Sequence, residues 1–333
     1  MKGQPMLAAF YERTGPAREV LQVGELPTPE PGPGEVRIRL AASGVNPSDV
    51  KSRAGLRSSA LPFPRIVPHS DGAGTIDAVG AGVAAARRGE RVWTWNGAWR
   101  RPFGTAAEYI VLPAGQAVAL PEGIGFEAGA CLGIPALTAL HAVRMDGGVT
   151  DKTVLITGGA GAVGHYAIQM ARLLGARTII ATVSNAAKAQ VALQAGADET
   201  IDYRNEDVAA RVAQLTHNEG VDRVIEVDFA ANVTAALNSV KAEGDIVVYG
   251  SGKPDVAVPF FPAILKNLRV RFMMVYVLTP KDRAAALDRL GSWLSDGKLE
   301  HQIAERLPLA QVAQAHELVE SGRVTGNVVL TIS

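Results

Sequence analysis

The sequence is short of cysteine: it has one, Cys131, in 333 residues. A single cysteine excludes an intramolecular disulfide and a zinc site built from several thiolates. The histidines form no cluster at metal-ligand spacing; they are His69, His141, His165, His217, His301 and His316. We therefore expect no metal, a reducing cytoplasmic location, and a Cys131 that packs as a small buried hydrophobe.

The chain also lacks an excess of either charge and a long hydrophobic run. Lys plus Arg equals Asp plus Glu at 33 each, so no broad field attracts nucleic acid or an anionic membrane. The most apolar helix-like segment, 128–143, is broken by Pro135 and falls short of a membrane span. The apolar stretch at the N-terminus is too short for a signal peptide. A soluble, cytoplasmic protein is expected.

Two domains are predicted, because the pattern of strands, helices and turns changes along the chain. The first 120 or so residues contain short β-like runs between Gly- and Pro-rich turns, at 35–40, 72–80, 89–95 and 106–113. Such a pattern indicates a compact, partly open β-barrel. From residue 126 strands alternate with helices, which predicts an α/β, doubly wound parallel sheet. The predicted boundaries are 1–125 plus 278–333 for the first domain and 126–277 for the second.

A glycine-rich turn, GGAGAVG at 158–164, directly follows a strand and opens a helix. In the first βα unit of a doubly wound sheet, such a turn receives a pyrophosphate on backbone N–H groups. We expect Ala160, Gly161, Ala162 and Val163 to contact the dinucleotide. Gly164 is expected to let the helix pack closely on the strand.

An acid is missing at the end of the next strand, 178–183, where NAD-binding units use one to hold the ribose hydroxyls. Ser184 stands at this tip, Lys188 follows one helical turn later, and Tyr203 with Arg204 follows the third strand. A hydroxyl, a phenol and a cation suit a phosphate dianion. The sequence therefore predicts NADPH rather than NADH.

Several motifs in order resemble those of the zinc-independent quinone oxidoreductases, the zeta-crystallin-like branch of the medium-chain dehydrogenase/reductase superfamily. The motifs are SGVNPSD at 43–49, DGAGTIDAVGAGV at 71–83, GTAAEYIVLP at 104–113, GIPALTALHAV at 133–143, ITGGAGAVG at 156–164, QAGADETIDYR at 194–204 and IVVYGS at 246–251. The resemblance implies a GroES-like catalytic domain, an inserted Rossmann domain and a cleft between them for NADPH.

The resemblance also implies site residues. Asn46 is expected beside the nicotinamide and the substrate, and Thr138 on a helix that faces the nicotinamide. The remaining implied cofactor contacts are Gly250, Ser251, Val275, Tyr276, Val277 and Asn327. The superfamily's zinc enzymes carry Gly-His-Glu where this chain has His69-Ser70-Asp71, so the ligand histidine is replaced by Ser70 and no zinc is expected.

Two departures from the resemblance leave the substrate pocket open to alternatives. Lys51 and Arg57 stand where relatives often have Tyr, and they either face the substrate as cations or point to solvent. The loop 93–104 holds three of the four Trp residues beside Arg100 and Arg101. Those rings either stack on a flat substrate or pack as core.

The function predicted from these residues is reduction of a quinone by NADPH without zinc, by hydride or electron transfer. One alternative is reduction of the C=C bond of an alkenal or enone, for which Lys51 could donate a proton. The other is an NADPH-binding sensor or RNA-binding protein. The apolar run 269–277 is predicted to be the edge strand of the sheet, and an unpaired edge favours pairing in a homodimer.

Overall fold

The computed structural model describes residues 5–56 and 58–332. No helix within these ranges is long and apolar enough to cross a membrane. The strands are β1 (Pro5–Phe10), β2 (Gln22–Pro27), β3 (Glu35–Val45), β4 (Asp71–Val79), β5 (Arg91–Thr94), β6 (Tyr109–Pro113), β7 (Ala117–Ala119), β8 (Thr153–Ile156), β9 (Thr178–Val183), β10 (Glu199–Asp202), β11 (Val221–Glu226), β12 (Val240–Val248), β13 (Arg269–Phe272), β14 (Ile303–Pro308) and β15 (Asn327–Thr331). The helices are α1 (Ala17–Val20), α2 (Pro47–Arg53), α3 (Phe126–Gly129), α4 (Leu137–Arg144), α5 (Ala162–Leu173), α6 (Ala186–Gln194), α7 (Val208–Leu215), α8 (Phe229–Ser239), α9 (Phe260–Ile264), α10 (Pro280–Ser295) and α11 (Val312–Glu320).

The chain divides into two compact units. The first runs to Pro135 and resumes at Asp288, and the second is Ala136–Leu287. The boundaries predicted from the sequence lie earlier, at 125/126 and 277/278. The later crossing falls inside helix α10, where no turn or composition change marks it in the sequence.

The first unit is built around strand β3, which pairs with β4, β6 and β15. Its sheet runs β14-β15-β3-β4-β5-β7, and β1 pairs with β2 in a separate antiparallel sheet. Along β3, the alternating residues Val36, Ile38 and Leu40 are buried in the core, while Arg39 between them is exposed. This period of two is the reason the segment forms a half-buried strand. The predicted β-rich unit is confirmed, and β1, β2, β7 and β14 were not predicted.

The second unit carries a six-stranded parallel sheet in the order β10-β9-β8-β11-β12-β13. Strand β8, at its centre, is fully buried on both faces, as a parallel strand covered by helices must be. The order reverses between β8 and β11, which is the switch point where doubly wound sheets bind ligands. The predicted Rossmann domain is confirmed.

The prediction of one strand over 269–277 was wrong beyond Phe272. Phe272 pairs with Val248, the last residue of β12, so no neighbour remains to continue the ladder. The chain turns instead, and Val275–Val277 forms a short 3-10 helix. β13 is the edge strand of the sheet, as predicted.

Candidate functional site

The glycine-rich turn between β8 and α5 is held by the neighbouring strand. Gly158 donates its N–H to Thr182 Oγ1 at 3.0 Å, and Gly159 donates to the Thr182 carbonyl at 2.9 Å. A Cβ on Gly164 would overlap the carbonyl oxygen of Gly158. Helix α5 therefore approaches the turn as closely as only glycine permits, as expected.

The N-terminus of α5 opens directly from this turn. Gly161 is the N-cap residue, and Ala162 and Val163 are the first helical residues. The first N–H groups of a helix have no carbonyl partner within it, and the helix dipole makes this end positive. No acidic residue occupies the first turn. The predicted residues Ala160, Gly161, Ala162 and Val163 thus form a turn and helix start with the properties of an anion site.

A cavity of about 200 Å³ lies along the carboxyl ends of the central strands. Asn232 of α8 is one polar residue in its lining, and the others are Thr157, Thr182, Tyr203, Glu226 and Asp228. These other residues follow or end strands β8, β9, β10 and β11, so the cavity spans the switch point of the sheet. The predicted residue Tyr203 belongs to this lining, whereas Thr182, Glu226 and Asp228 were not predicted.

Glu226 is fully buried at the end of β11. Its Oε1 accepts hydrogen bonds from the Asp228 N–H at 2.6 Å and from Asn232 Nδ2 at 2.8 Å. Burial raises the pKa of this carboxyl. Glu226 therefore fixes the backbone that borders the cavity. The rule that ligands bind at the carboxyl ends of parallel strands could have identified it from the sequence.

The tip of strand β9 carries cations in place of the missing acid. Ser184 is nearly buried immediately after the strand, and the Asn185 side chain caps α6 by accepting the Lys188 N–H at 2.9 Å. Burial lowers the pKa of the Lys188 ammonium, and the positive charge of Arg204 lowers it further. Two cations that repel one another at this tip would both be stabilised by a bound dianion.

In the first unit, a fully buried acid holds Asn46. Asp71 Oδ2 accepts hydrogen bonds from Asn46 Nδ2 at 2.8 Å and from the Ile134 N–H at 3.0 Å. Burial raises the pKa of Asp71 well above its usual value, and the charge of Asp49 raises it further. Its Oδ1 is buried without a hydrogen-bond partner among the described residues. Burial therefore disfavours the charged form of Asp71, and the carboxyl fixes the orientation of the Asn46 amide.

His69 is committed to a buried hydrogen-bond chain. Its Nδ1 is 2.9 Å from Ser43 Oγ, and its Nε2 is 2.9 Å from His316 Nε2. Burial lowers the pKa of His69 to about 3, so the ring is neutral. Within residues 5–56 and 58–332, no three His, Cys, Asp or Glu side chains are grouped so as to hold a metal ion. Cys131 is buried, and burial raises the pKa of its thiol.

Two other predicted positions are described in the first unit. Lys51 is half-buried on helix α2, which begins directly after Asn46. Asn327 is nearly buried at the start of β15 and donates its Nδ2 to the Gln302 carbonyl at 3.0 Å. Arg57 lies outside the described residues, so its predicted role stays a prediction.

The remaining predicted positions lie in the second unit. Thr138 is nearly buried on helix α4. Gly250, shortly after β12, packs so closely against Val227 that a Cβ on Gly250 would overlap the Val227 carbonyl oxygen. The Ser251 hydroxyl donates a hydrogen bond to a backbone carbonyl at 2.7 Å. The other three, Val275, Tyr276 and Val277, form the 3-10 turn rather than the predicted strand. In that turn the Val275 carbonyl accepts a hydrogen bond from Arg283 Nη2.

Comparison with known proteins decides the family. The alcohol dehydrogenase GroES-like domain matches residues 32–122, and the zinc-binding dehydrogenase domain matches residues 162–292. A quinone oxidoreductase of Pseudomonas aeruginosa is 34% identical, over 94% of this chain and 95% of its own length. The chain belongs to the quinone oxidoreductase family of the medium-chain dehydrogenase/reductase superfamily.

Other similar proteins carry more than one functional name. A 2-haloacrylate reductase of Burkholderia is 30% identical, over 98% of each chain. The solved structure of an NAD-dependent alcohol dehydrogenase matches with a TM-score of 0.90 and 33% identity, covering 98% of this chain and all of the other. The Escherichia coli quinone oxidoreductase complexed with NADPH matches with a TM-score of 0.87 and 29% identity, covering 98% and 99%.

The glycine-rich turn at 158–164 gives a first prediction for this quinone oxidoreductase family member. Gly164→Ala places a Cβ against the Gly158 carbonyl, so we expect a loss of about 2–3 kcal/mol in the free energy of unfolding and weakened dinucleotide binding. Gly161→Ala is the matched control, because its nearest contact is the same oxygen at 3.2 Å and should cost under about 1 kcal/mol. Denaturant unfolding measures the free energy of unfolding of each variant, and calorimetry measures its affinity for the dinucleotide. Equal losses in the free energy of unfolding for the two variants would contradict the close approach.

Asp71 gives a second prediction, based on pH. Above its usual pKa of 3.8, the unfolded carboxyl releases its proton while the folded one keeps it. The native state then binds more protons, so stability falls as pH rises. We expect the stability of Asp71→Asn relative to wild type to increase as pH rises above about 4. Asp71→Ala, which removes the acceptor, should lie about 1–3 kcal/mol below Asp71→Asn. A wild type that gains stability relative to Asp71→Asn as pH rises would contradict a neutral Asp71.

Proposed function

We propose that this protein is an NADPH-dependent quinone oxidoreductase. Relatives named quinone oxidoreductase match nearly the whole chain, and two of the similar solved structures are complexes with NADPH. The observation that carries the proposal is the tip of β9. There Ser184, Lys188 and Arg204 replace the acid that an NAD-binding unit uses.

The second unit would bind the cofactor along the ends of its strands. The first-turn N–H groups of α5, at Ala162 and Val163, suit the pyrophosphate, because this helix end is positive and Gly164 brings it against the sheet. Lys188 and Tyr203 suit the 2′-phosphate. The other residues proposed to contact NADPH are Asn46, Thr138, Ala160, Gly161, Ser184, Gly250, Ser251, Val275, Tyr276, Val277 and Asn327.

Asn46 is the residue we propose to position the quinone beside the nicotinamide. Bound NADPH supplies a hydride from C4 of its nicotinamide. The hydrogen bond that Asn46 Nδ2 donates to Asp71 Oδ2 holds the Asn46 amide in one orientation, which removes the entropy cost of ordering it on the reacting molecule. A quinone that receives a hydride needs one proton to become a hydroquinone, and water can provide it. Lys51 and Arg57 are proposed to face the acceptor as cations.

We propose that this chemistry runs without zinc, although one matching family model is described as a zinc-binding dehydrogenase. The positions of the superfamily's ligands are taken by residues such as Ser70, and both ring nitrogens of His69 have hydrogen-bond partners. Thiolate and imidazole are the ligands that catalytic zinc usually takes. Full activity after dialysis against a chelator, with substoichiometric zinc by elemental analysis, is the expected result. Activity that disappears and returns with added zinc would contradict it.

The proposed function predicts a specific acceptor profile. We expect oxidation of NADPH, followed by its absorbance, with benzoquinones and polycyclic ortho-quinones, and little with 2-enals or 2-haloacrylate. Turnover of enals or haloacrylate alone would favour the alkene reductase. That alternative rests on the similarity to the 2-haloacrylate reductase and on half-buried Lys51 as a proton donor. Tight NADPH binding without turnover of any acceptor would contradict both activities and leave a binding protein.

The phosphate tip predicts that Lys188→Gln weakens binding of NADPH but not of NADH. Loss of one cation that contacts a phosphate should cost roughly fivefold in affinity. Lys281→Gln, an exposed lysine at the start of α10 in the same unit, is the matched control and should change neither affinity. Calorimetry with both dinucleotides measures the effect. Equal losses for NADPH and NADH would show that Lys188 does not contact the 2′-phosphate.

We also propose that the protein is a homodimer paired along β13. This strand is the free edge of the sheet, and the apolar side chains of Phe260, Phe261, Leu265 and Phe272 near it in the sequence are 65%, 71%, 80% and 65% exposed. Pairing with a second copy would cover both the edge and these side chains. Light scattering at micromolar concentration should give twice the chain mass of 34.9 kDa. A monomeric mass would contradict the proposal.

A further inference from the structure

The tryptophan-rich loop that follows β5 borders a cavity of its own in the first unit. This cavity has a volume of about 450 Å³, within the usual range for small-molecule sites. Its lining residues are Trp95, Asn96, Trp99, Arg101, Pro113, Gly115 and Gln116. Neither Asn46 nor Asp71 is among them, so the proposed reaction leaves this cavity unexplained.

The guanidinium of Arg101 is fixed in the wall of this cavity. Its Nη2 donates to Gln116 Oε1, and Gln116 Nε2 in turn donates to the Trp95 carbonyl at 2.8 Å. Arg101 Nη1 is buried and has no hydrogen-bond partner among the described residues. Burial lowers the pKa of Arg101, and the charge of Glu35 partly offsets this effect. A buried, oriented N–H donor without an acceptor requires an explanation.

The aromatic part of the lining is separate from the core. Trp93, within strand β5, is completely buried, whereas Trp95 and Trp99 follow the strand and are half-buried. Arg100 is exposed and lies 5.4 Å from the ring centroid of Trp99. Asn96 and Arg100 both have left-handed backbone conformations, with φ of 55° and 59°. Such conformations are costly away from glycine and are concentrated at functional sites.

We propose that this cavity binds a planar aromatic carboxylate. The carboxylate would pair with the charge of Arg101, which lines the cavity and whose Nη1 has no acceptor among the described residues; charge-assisted pairs of this kind are the strong ones. The ring would pack on the indoles of Trp95 and Trp99, which favour flat partners. A neutral ring would leave the Arg101 charge without its partner, and inorganic phosphate would leave the indoles uncovered. The site is additional to the proposed quinone site and does not depend on it.

The experiment uses 2-naphthoate as the probe and fluorine NMR of the full chain labelled with 5-fluorotryptophan. The chain has four tryptophans, and single Trp→Phe variants assign their resonances. Titration with 2-naphthoate should move the resonances of Trp95 and Trp99 and leave those of Trp93 and Trp293. The neutral isostere 2-naphthamide should bind on the order of tenfold more weakly, and inorganic phosphate should move none of the four.

Matched variants separate the two adjacent arginines. Arg101→Gln should weaken 2-naphthoate binding on the order of tenfold, and Arg100→Gln, which removes an exposed charge, should change it by less than about twofold. Unchanged Trp93 and Trp293 resonances show that each variant is folded. Should Arg101→Gln fail to fold, Arg101→Lys keeps the charge, loses the fork of donors and should still weaken binding.

Four results would overturn the proposal. They are no shift at millimolar 2-naphthoate, equal binding of the amide, equal effects at Arg100 and Arg101, or shifts of all four tryptophans together. Turnover of quinones is measured on the same variants. Because Arg101 does not belong to the proposed reaction site, quinone activity of Arg101→Gln should stay within about twofold of wild type. The carboxylate site and the quinone reductase function therefore fail or succeed independently.

Discussion

The close approach of helix α5 to the carbonyl of Gly158 is the constraint on which the dinucleotide half of the site depends. Gly164 has no side chain, so the helix start reaches the edge of the sheet, and Thr182 of the adjacent strand holds the turn through both its hydroxyl and its carbonyl. Together these contacts place a positive helix end at the switch point of a parallel sheet. Any residue larger than glycine at position 164 would push the start of the helix away from the Gly158 carbonyl.

The first unit holds a carboxyl group, that of Asp71, in its buried interior. A charge on Asp71 would have no cation to offset it, so burial favours the neutral acid. Its Oδ2 nevertheless accepts two hydrogen bonds, from Asn46 and from the backbone of Ile134. Burial likewise favours the neutral form of His69, whose ring bridges Ser43 and His316. Asp71 and His69 thus both act in this structure as buried hydrogen-bond partners.

The features of the fold that depend on local sequence patterns could be predicted from the sequence, and those that depend on distant contacts could not. Alternating strands and helices were sufficient for the doubly wound sheet, because parallel crossovers are right-handed and helices must cover both faces. The end of β13 could not be predicted, since it depends on where β12 stops pairing. Nor could the contact of His69 with His316, which lie 247 residues apart. The sequence could not show that Trp93 is a core residue and Trp95 a loop residue, because this depends on strand β5 ending between them, after Thr94.

We propose that the cationic tip of β9 selects NADPH over NADH. Calorimetric titration of the wild-type protein with NADPH and with NADH, at one ionic strength, tests it most directly. We expect NADPH to bind at least roughly tenfold more tightly, since only its 2′-phosphate engages the tip. NADH that binds equally or more tightly would contradict the account, and would instead agree with the similarity to an NAD-dependent alcohol dehydrogenase.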